Sequence, residues 1–310
     1  MKNKLIEIGV CSNSISKNIY ARNLIKKKFK SYKLNPKKKL KGKELINFLK
    51  NCRTAIIGTE TLDKFVLDNL PNLKVIGKYG VGLDKIDTKY IKKKKIFFND
   101  FQGFNKRSVS ELTLGLIISC LRNLNFINHT AKYNKKWLSL PGKQLTGKTI
   151  GIIGCGRIGK DLIKLLKPFN LRILINDLTY NQYFLKKYNL KKSSKNQIYK
   201  KSDIVTLHIP MNKSNNNLIN KFSFKNMNRE IALINTSRGG LVNENDLFKF
   251  LKKNKKASSY FDVMEKEPPI TNHRLFELKN FFISSHIGGS TQESIELGAK
   301  LCINAILKAK

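Results

Sequence analysis

The chain has 310 residues, of which 61 are lysine or arginine and 21 are aspartate or glutamate, and its formal net charge is +40 at pH 7. One hydrophobic core rarely grows beyond about 250 to 300 residues, so this length predicts two domains. No apolar run reaches the roughly 18 residues of a membrane-spanning helix, and the first residues turn polar too soon for a secretory signal. We therefore expect a cytoplasmic protein without a membrane partner.

The positive charge is spread along the whole chain and comes mostly from lysine. Strongly basic chains often bind nucleic acids, and a nucleic-acid footprint stays open as an alternative. The lysines are not gathered on one arm or interleaved with aromatic residues, which favours a coding bias toward A- and T-rich codons on a solvated surface. We expect no nucleic-acid partner, although such a field would steer a small anionic substrate inward.

The cysteines lie far apart, with no C-x-x-C pair and no paired histidines: Cys11, Cys52, Cys120, Cys155 and Cys302. Cysteines in this arrangement are most simply reduced thiols packed as small apolar residues. We expect no metal site.

The first hundred residues alternate short apolar strands with helical stretches, which predicts an open α/β domain with a parallel sheet. The predicted strands are residues 5–10, 54–58, 74–78 and 96–99, and the predicted helices are residues 15–29, 44–49 and 62–70. The strand of residues 74–78 ends in a turn that contains glycine, and ligands of open α/β sheets lie just beyond such strand ends. The backbone N–H groups of Val81 and Gly82 could hold a carboxylate there, although the segment also fits a plain strand-to-helix connection.

A long helical stretch from Ser108 to about Tyr133 comes next. Its first residues, Ser108-Val109-Ser110-Glu111, have the form of a capping box, which predicts that the helix begins there. We interpret this stretch as the bridge between two domains.

Residues 150–153 form a short apolar strand that enters Gly154-Cys155-Gly156-Arg157-Ile158-Gly159, and apolar residues then recur at helical spacing. In such a turn glycines permit the bend, the approach of a pyrophosphate and the packing of helix on strand, and the helix N-terminus favours an anion. A second strand, residues 171–175, is followed by Asp177, near the distance at which an acid meets the ribose of NAD. The glycine pattern alone also fits an ordinary turn, but strand, helix and acid together predict a dinucleotide site.

The α/β alternation continues with predicted strands at residues 203–210, 231–235, 258–262 and 281–284. A last helix, residues 291–306, could return to the first domain, which predicts a discontinuous architecture.

Three of the strand ends carry side chains of complementary chemistry, Arg238, Glu267 and His286. Reducing a carbonyl with NADH delivers a hydride to carbon, so a donor must give the oxygen a proton, and histidine suits this task near neutral pH. A neighbouring carboxylate would stabilise the imidazolium, and a guanidinium binds a carboxylate through two parallel hydrogen bonds. Each residue alone also has a structural interpretation, as a turn arginine, a solvated acid or a core histidine.

The chain resembles the D-isomer-specific 2-hydroxyacid dehydrogenase family, and especially its phosphoglycerate dehydrogenases, in six ordered segments: residues 80–84, 108–112, 145–154, 235–242, 262–268 and 286–291. The resemblance implies an α/β fold with two Rossmann-like or flavodoxin-like domains and parallel sheets. A discontinuous substrate domain of residues 1–101 and 289–310 would surround an inserted NAD-binding domain of residues 102–288. It also implies a homodimer packed through the NAD-binding domain and, since the chain stops at residue 310, no regulatory serine-binding domain.

The resemblance further implies that Arg238 binds the substrate carboxylate and that Glu267 pairs with His286, which acts as the acid/base. The implied cofactor contacts are Gly154, Gly156, Arg157, Ile158 and Gly159 around the pyrophosphate, Asp177 at the adenosine ribose, and Ile209, Thr236, Asp262, His286 and Gly288 near the rest of NAD. Val81 and Gly82 would meet the substrate carboxylate through their backbone.

The substrate itself is less constrained. Where phosphoglycerate dehydrogenases tend to carry arginine before the glycine turn, this chain has Lys78, and Arg122 is the other cation that we assign to a substrate phosphate. The leading expectation is oxidation of 3-phosphoglycerate with NAD, as in serine biosynthesis, and the alternative is reduction of glyoxylate or hydroxypyruvate. A corepressor-like protein that senses NAD without catalysis is a minor alternative.

We predict that the chain prefers NAD to NADP, because the Asp177 carboxylate should accept hydrogen bonds from the ribose hydroxyls and repel a 2′-phosphate. Asp177→Ser should narrow this preference. Steady-state kinetics with both cofactors test it, and equal turnover by the wild type would contradict the assignment of Asp177.

Overall fold

The computed structural model of the chain describes residues 5–35, 37 and 39–309. Residues 1–4 and Lys310, the outer ends of the predicted substrate domain, lie outside the described residues. By its internal contacts the chain divides into two compact units. The first unit contains the described residues up to Asn105 and those from Gly289 onward, and the second unit is Lys106–Gly288.

Strands and short helices alternate through both units. The strands of the described chain are β1 (Ile6–Val10), β2 (Tyr32–Leu34), β3 (Cys52–Ile57), β4 (Val75–Lys78), β5 (Phe97–Asp100), β6 (Thr149–Ile153), β7 (Arg172–Asn176), β8 (Lys191–Lys192), β9 (Ile204–Leu207), β10 (Ala232–Asn235), β11 (Ser258–Phe261) and β12 (Phe281–Ile283). The α-helices there are α1 (Asn13–Lys17), α2 (Ile19–Lys28), α3 (Gly42–Leu49), α4 (Lys64–Asp68), α5 (Thr88–Lys93), α6 (Lys106–Leu121), α7 (Leu124–Tyr133), α8 (Arg157–Leu166), α9 (Gln182–Lys187), α10 (Lys195–Lys201), α11 (Lys221–Asn226), α12 (Glu244–Lys253) and α13 (Gln292–Lys308).

The first unit is built on a parallel sheet in the order β2-β1-β3-β4-β5. Its central strands, β3 and β4, are buried at every position except Arg53, as expected for a parallel sheet covered by helices on each side. Helix α13, from the far end of the chain, packs so closely on β4 that a Cβ on Gly77 would lie 3.1 Å from the Cβ of Cys302. The strand order reverses between β1 and β3.

The second unit has a parallel sheet in the order β12-β11-β10-β9-β6-β7-β8. The strand order reverses between β6 and β9, and in doubly wound sheets ligands bind just beyond the carboxyl ends of the strands at such a reversal. The predicted fold class, α/β with two parallel sheets, is confirmed.

Two predicted helices differ from those observed, and polar side chains explain one difference. The predicted helix of residues 15–29 is divided into α1 and α2 because Asn18 ends one helix and begins the next. Its backbone is extended, at φ −71° and ψ 125°, and its side-chain Oδ1 accepts a hydrogen bond from the Ala21 N–H at 2.8 Å. Asparagine favours such caps because its short side chain competes for backbone groups.

The predicted capping box at Ser108 is wrong. Helix α6 begins at Lys106, and the Ser110 hydroxyl lies within it, donating to the Lys106 carbonyl at 2.8 Å. The stretch is also interrupted before α7, where Asn123 has φ +54° in the left-handed region that asparagine tolerates better than most residues.

Polar contacts inside the second unit connect helix α6 to helix α8. The Arg107 guanidinium contacts both carboxylate oxygens of the buried Asp161, with Nη2 to Oδ1 at 3.2 Å and Nε to Oδ2 at 3.1 Å. The Ser110 hydroxyl, which donates to the Lys106 carbonyl, also lies 3.3 Å from the Ile158 carbonyl oxygen. These contacts fix the first turn of α8, which follows the glycine-rich turn.

No helix in the described ranges is both long enough and apolar enough to cross a membrane.

Candidate functional site

The glycine-rich turn between β6 and α8 has backbone geometry that side chains would prevent. Gly154 has φ +102°, and a Cβ there would lie 2.4 Å from the His208 carbonyl oxygen. A Cβ on Gly159 would lie 2.2 Å from the Gly154 carbonyl oxygen. Gly156 differs, because a Cβ there would meet nothing within 4 Å, and no side chain caps the helix that it begins. The space in front of the α8 N-terminus is therefore open to an anionic group such as a pyrophosphate.

Asp177 follows β7 and lies against this turn. Its Oδ2 accepts a hydrogen bond from the Cys155 N–H, and its Oδ1 accepts one from the Leu178 N–H at 2.6 Å. Burial raises the pKa of the Cys155 thiol to about 11, and the charge of Asp177 adds to this effect, so the thiol stays protonated near neutral pH. The turn thus presents backbone N–H groups and one carboxylate, the donor and acceptor set that suits a dinucleotide.

Two further predicted cofactor residues lie beside the turn or on a neighbouring strand end. A Cβ on Gly154 would be 2.8 Å from the Cγ2 of Ile209, which therefore lies alongside the turn. The Thr236 hydroxyl, at the end of β10, donates to the Thr113 hydroxyl at 2.9 Å, because the Thr113 hydroxyl itself donates to a backbone carbonyl within α6. Helix α6 thus positions Thr236.

His286 and Glu267 form a hydrogen-bonded pair, which is the pairing that the family resemblance implies. The His286 Nδ1 lies 2.7 Å from the Glu267 Oε2, and the histidine side chain is 44% exposed. His286 has φ +57°, a left-handed conformation that is uncommon for a residue with a side chain. The pairing at Nδ1 leaves Nε2 as the ring nitrogen that can exchange a proton with a bound molecule.

Asp262 fixes the loop that carries His286. Its carboxylate is 1% exposed and accepts hydrogen bonds from the Ser284 hydroxyl, the Ile287 N–H at 2.9 Å and the Gly288 N–H at 2.8 Å. The His286 N–H donates to the Asp262 carbonyl at 2.8 Å. Asp262 therefore has a positioning role, and its predicted contact with the nicotinamide amide, like that of Gly288 with the cofactor, stays a prediction.

Arg238 lies in the turn after β10, and that turn is built by Asn235. The Asn235 amide donates to the Arg238 carbonyl at 2.9 Å and accepts from the Ser237 N–H at 3.0 Å. A Cβ on Gly239 would be 1.9 Å from the Met264 carbonyl carbon, so the turns after β10 and β11 pack backbone to backbone. Because all strands run in parallel, the turns bearing Arg238, Glu267 and His286 follow the same edge of this sheet.

Arg122 does not lie at this edge. Cys120 and Leu121, just before it, line a cavity with Ala232 and Ser258, the first residues of β10 and β11. Arg122 therefore follows the end of α6 at the amino edge of the sheet, opposite to the predicted catalytic residues. Its predicted contact with a substrate phosphate is wrong for this unit.

Lys78 is also unsuited to its predicted phosphate contact. It is 3% exposed, and its Nζ donates to the carbonyl oxygens of Gly58 at 2.6 Å, Tyr79 at 2.8 Å and Gly80 at 3.4 Å. An ammonium group has three N–H donors, and three carbonyls surround this one. The geometry contradicts a direct contact between Lys78 and a phosphate.

Several supporting residues were not found from the sequence. Glu244 accepts a hydrogen bond from the Glu265 N–H at 2.7 Å and pairs with the His273 Nε2 at 3.0 Å, which braces the turn that carries Glu267. In the sequence Glu244 has the appearance of an acid in the first turn of a helix, and nothing in its spacing points to the distant turn.

Comparisons with known proteins identify the family and support the fold. A family model described as "D-isomer specific 2-hydroxyacid dehydrogenase, NAD binding domain" matches residues 114–288. A glyoxylate reductase of Thermofilum pendens is 36% identical over 81% of this chain and 77% of its own length. A hydroxypyruvate reductase of Thermotoga maritima is 32% identical over 82% of this chain and 84% of its own.

A longer relative and a solved structure extend the comparison. A D-3-phosphoglycerate dehydrogenase of Archaeoglobus fulgidus is 31% identical over 81% of this chain, which matches 48% of that protein. The crystal structure of the TT0316 protein from Thermus thermophilus has the same fold, with a TM-score of 0.89 and 24% identity over 98% of each chain.

His208 lies beside the glycine-rich turn, and its lowered pKa predicts how the stability of the folded state depends on pH. Its Nε2 lies 3.0 Å from the Thr206 hydroxyl, its Nδ1 has no partner in the described part of the chain, and burial lowers the pKa of His208 from 6.5 to about 4. Above pH 6.5 both folded and unfolded states hold a neutral ring. Between pH 6.5 and 4 only the unfolded chain takes up the proton at this residue, so the contribution of His208 to stability should fall by about 3 kcal/mol as the pH decreases through this window.

Urea unfolding at several pH values from 7.5 to 4.5 measures this loss. His208→Gln, which cannot titrate, should lose less stability across the window than the wild type. His129→Gln, at an exposed histidine, serves as the matched control and should follow the wild type. Identical pH dependence in the wild type and His208→Gln would contradict the prediction.

Proposed function

Because this chain belongs to the D-isomer specific 2-hydroxyacid dehydrogenase family and carries its NAD-binding domain, we propose that it reduces a small 2-oxo acid without a phosphate group. Glyoxylate and hydroxypyruvate are the leading substrates. The observation that carries this choice is that neither predicted phosphate cation fits its role, since Lys78 is enclosed by carbonyls and Arg122 follows the opposite sheet edge. The similarity to glyoxylate and hydroxypyruvate reductases supports it.

In this proposal Arg238 binds the substrate carboxylate through two parallel hydrogen bonds. Support comes from its turn, in which the Asn235 side chain and the Met264 backbone restrict the main chain next to the guanidinium. Val81 and Gly82 stay proposed backbone ligands of a carboxylate.

His286 is the proposed proton donor to the substrate carbonyl oxygen, through Nε2. Its Nδ1 faces Glu267, which holds the ring orientation and stabilises the imidazolium. Bound NADH supplies the hydride to the carbonyl carbon. The proton from His286 then completes the hydroxyl group, and the product is a 2-hydroxy acid.

NAD is held, in this proposal, by the edge of the second sheet. Asp177 accepts hydrogen bonds from the adenosine ribose, and the α8 N-terminus faces the pyrophosphate. The other proposed cofactor residues are Gly154, Gly156, Arg157, Ile158, Gly159, Ile209, Thr236, Asp262, His286 and Gly288.

We also propose a homodimer that packs through the second unit. Large apolar side chains are exposed on α7 and on the segment after it, including Leu124, Tyr133, Trp137 and Leu140. An exposed apolar group of this kind is typical of a protein interface.

A cytoplasmic location is proposed from the cysteines, all of which are buried free thiols.

A substrate panel tests the function. With NADH, kcat/KM for glyoxylate or hydroxypyruvate should exceed that for 3-phosphohydroxypyruvate at least about tenfold, because a phosphate brought into the site would lose its hydration without a charge-assisted hydrogen bond to replace it. Higher kcat/KM for the phosphorylated acid, or rapid oxidation of 3-phosphoglycerate, would favour the phosphoglycerate dehydrogenase function instead. Binding of NADH without turnover of any acid would contradict an enzymatic role.

His286→Ala should lower kcat for reduction by about 10²- to 10⁴-fold, because it removes the proton donor. The Kd for NADH should change much less, because His286 is only one of the proposed cofactor contacts and the others remain. Glu267→Gln should lower kcat by less, since the amide can still orient the ring but cannot stabilise its charge. Stopped-flow turnover and NADH fluorescence titration measure the two effects. His129→Ala is the control, and a kcat for His286→Ala close to that of the wild type would remove His286 from the mechanism.

A further inference from the structure

Two charged side chains, Glu60 and Lys78, are buried together at the turn that follows β3, with exposures of 2% and 3%. The Glu60 Oε2 accepts a hydrogen bond from the Gly58 N–H at 2.7 Å, and the Lys78 Nζ donates to the Gly58 carbonyl at 2.6 Å. Both backbone polar groups of Gly58 are thus held by buried charges. Because burying charge is costly unless hydrogen bonds compensate it, these residues have a specific task at this place.

The cluster lies at the strand reversal of the first sheet. Gly58 follows β3, and a Cβ there would be 3.2 Å from the Cβ of Ser12, which follows β1. These are the two strands between which the sheet order changes direction. In open α/β sheets a ligand binds near this point, and here Glu60, Gly58 and Lys78 form the structure beside it.

Lys78 also forms hydrogen bonds with the turn after β4. Its Nζ donates to the Tyr79 and Gly80 carbonyls, and Gly80 has φ +88°. Because a trans peptide is planar, a Gly80 carbonyl directed at Lys78 turns the Val81 N–H to the opposite side. Val81 and Gly82 are half-buried, and within the described ranges their backbone N–H groups donate to no acceptor.

We propose that Lys78 is a positioning residue that sets the backbone of residues 79–82 for binding the substrate carboxylate, with Glu60 as its counterpart on Gly58. This inference rests on the reductase function proposed above. The sequence predicted that Lys78 contacts the phosphate of one particular substrate. In the present proposal Lys78 affects the binding of every 2-oxo acid, because all of them carry the carboxylate. Lys78 acts through the turn and touches neither substrate nor cofactor.

Substitution by methionine and by arginine separates positioning from phosphate binding. Lys78→Met should raise KM by about tenfold for glyoxylate, hydroxypyruvate and any phosphorylated acid alike, with kcat and the Kd for NADH changed much less. Lys78→Arg should be impaired as well, because a planar guanidinium cannot direct donors at three convergent carbonyls. If Lys78 instead bound a substrate phosphate, arginine could replace it and the variant would stay active. Lys74→Met, at the exposed residue just before the same strand, is the matched control.

Amide hydrogen exchange of residues 79–86 gives a readout that needs no turnover. Exchange there should be faster in Lys78→Met than in the wild type and in Lys74→Met, while exchange in residues 150–180 should be unchanged. If the wild type turns over no acid, the proposed function fails, and the exchange result still decides whether Lys78 fixes the turn. Unchanged exchange, unchanged KM in a folded variant, or a KM effect confined to phosphorylated acids would each overturn the proposal.

Discussion

The carboxylate of Asp262 is the interaction on which the candidate site depends. It is buried at the end of β11 and accepts hydrogen bonds from the Ser284 hydroxyl and from two backbone N–H groups after β12. A left-handed conformation such as that of His286 costs about 1–3 kcal/mol and persists only where its surroundings determine it. Asp262 supplies those surroundings, so that His286 reaches Glu267 instead of relaxing into an extended chain.

Local patterns in the sequence predicted the parts of the structure that depend on neighbouring residues. The glycines at 154, 156 and 159 and the strands around them follow from sterics and periodicity within about ten residues. The assignment of Lys78 and Arg122 to a substrate phosphate failed because it depended on where each side chain lies in the folded chain. The sequence shows that Arg122 follows a helix but not which edge of the sheet that helix end meets, and it does not show that Lys78 turns back toward Gly58.

Because lysine is so abundant in this chain, the burial of a charged residue indicates a structural role better than its charge does. Exposed pairs such as Lys143 with Glu230 contribute little to stability, because solvent screens them. The buried charges of Asp161, Glu60 and Lys78 differ, since each is paired or hydrogen-bonded to groups that fix a helix or a turn at a strand end. Together with Asp262, these buried groups use charge to fix structure, while the net charge of +40 provides a field that attracts anionic acids.

A crystal structure of the chain with NADH and oxamate, an analogue of a 2-oxo acid, would show whether Arg238, His286 and Asp177 contact substrate and cofactor as proposed. We predict that the oxamate carboxylate contacts the Arg238 guanidinium, that its carbonyl oxygen lies within hydrogen-bond distance of the His286 Nε2, and that the adenosine ribose contacts Asp177. An oxamate carboxylate bound away from Arg238, or a carbonyl oxygen out of reach of His286, would contradict it.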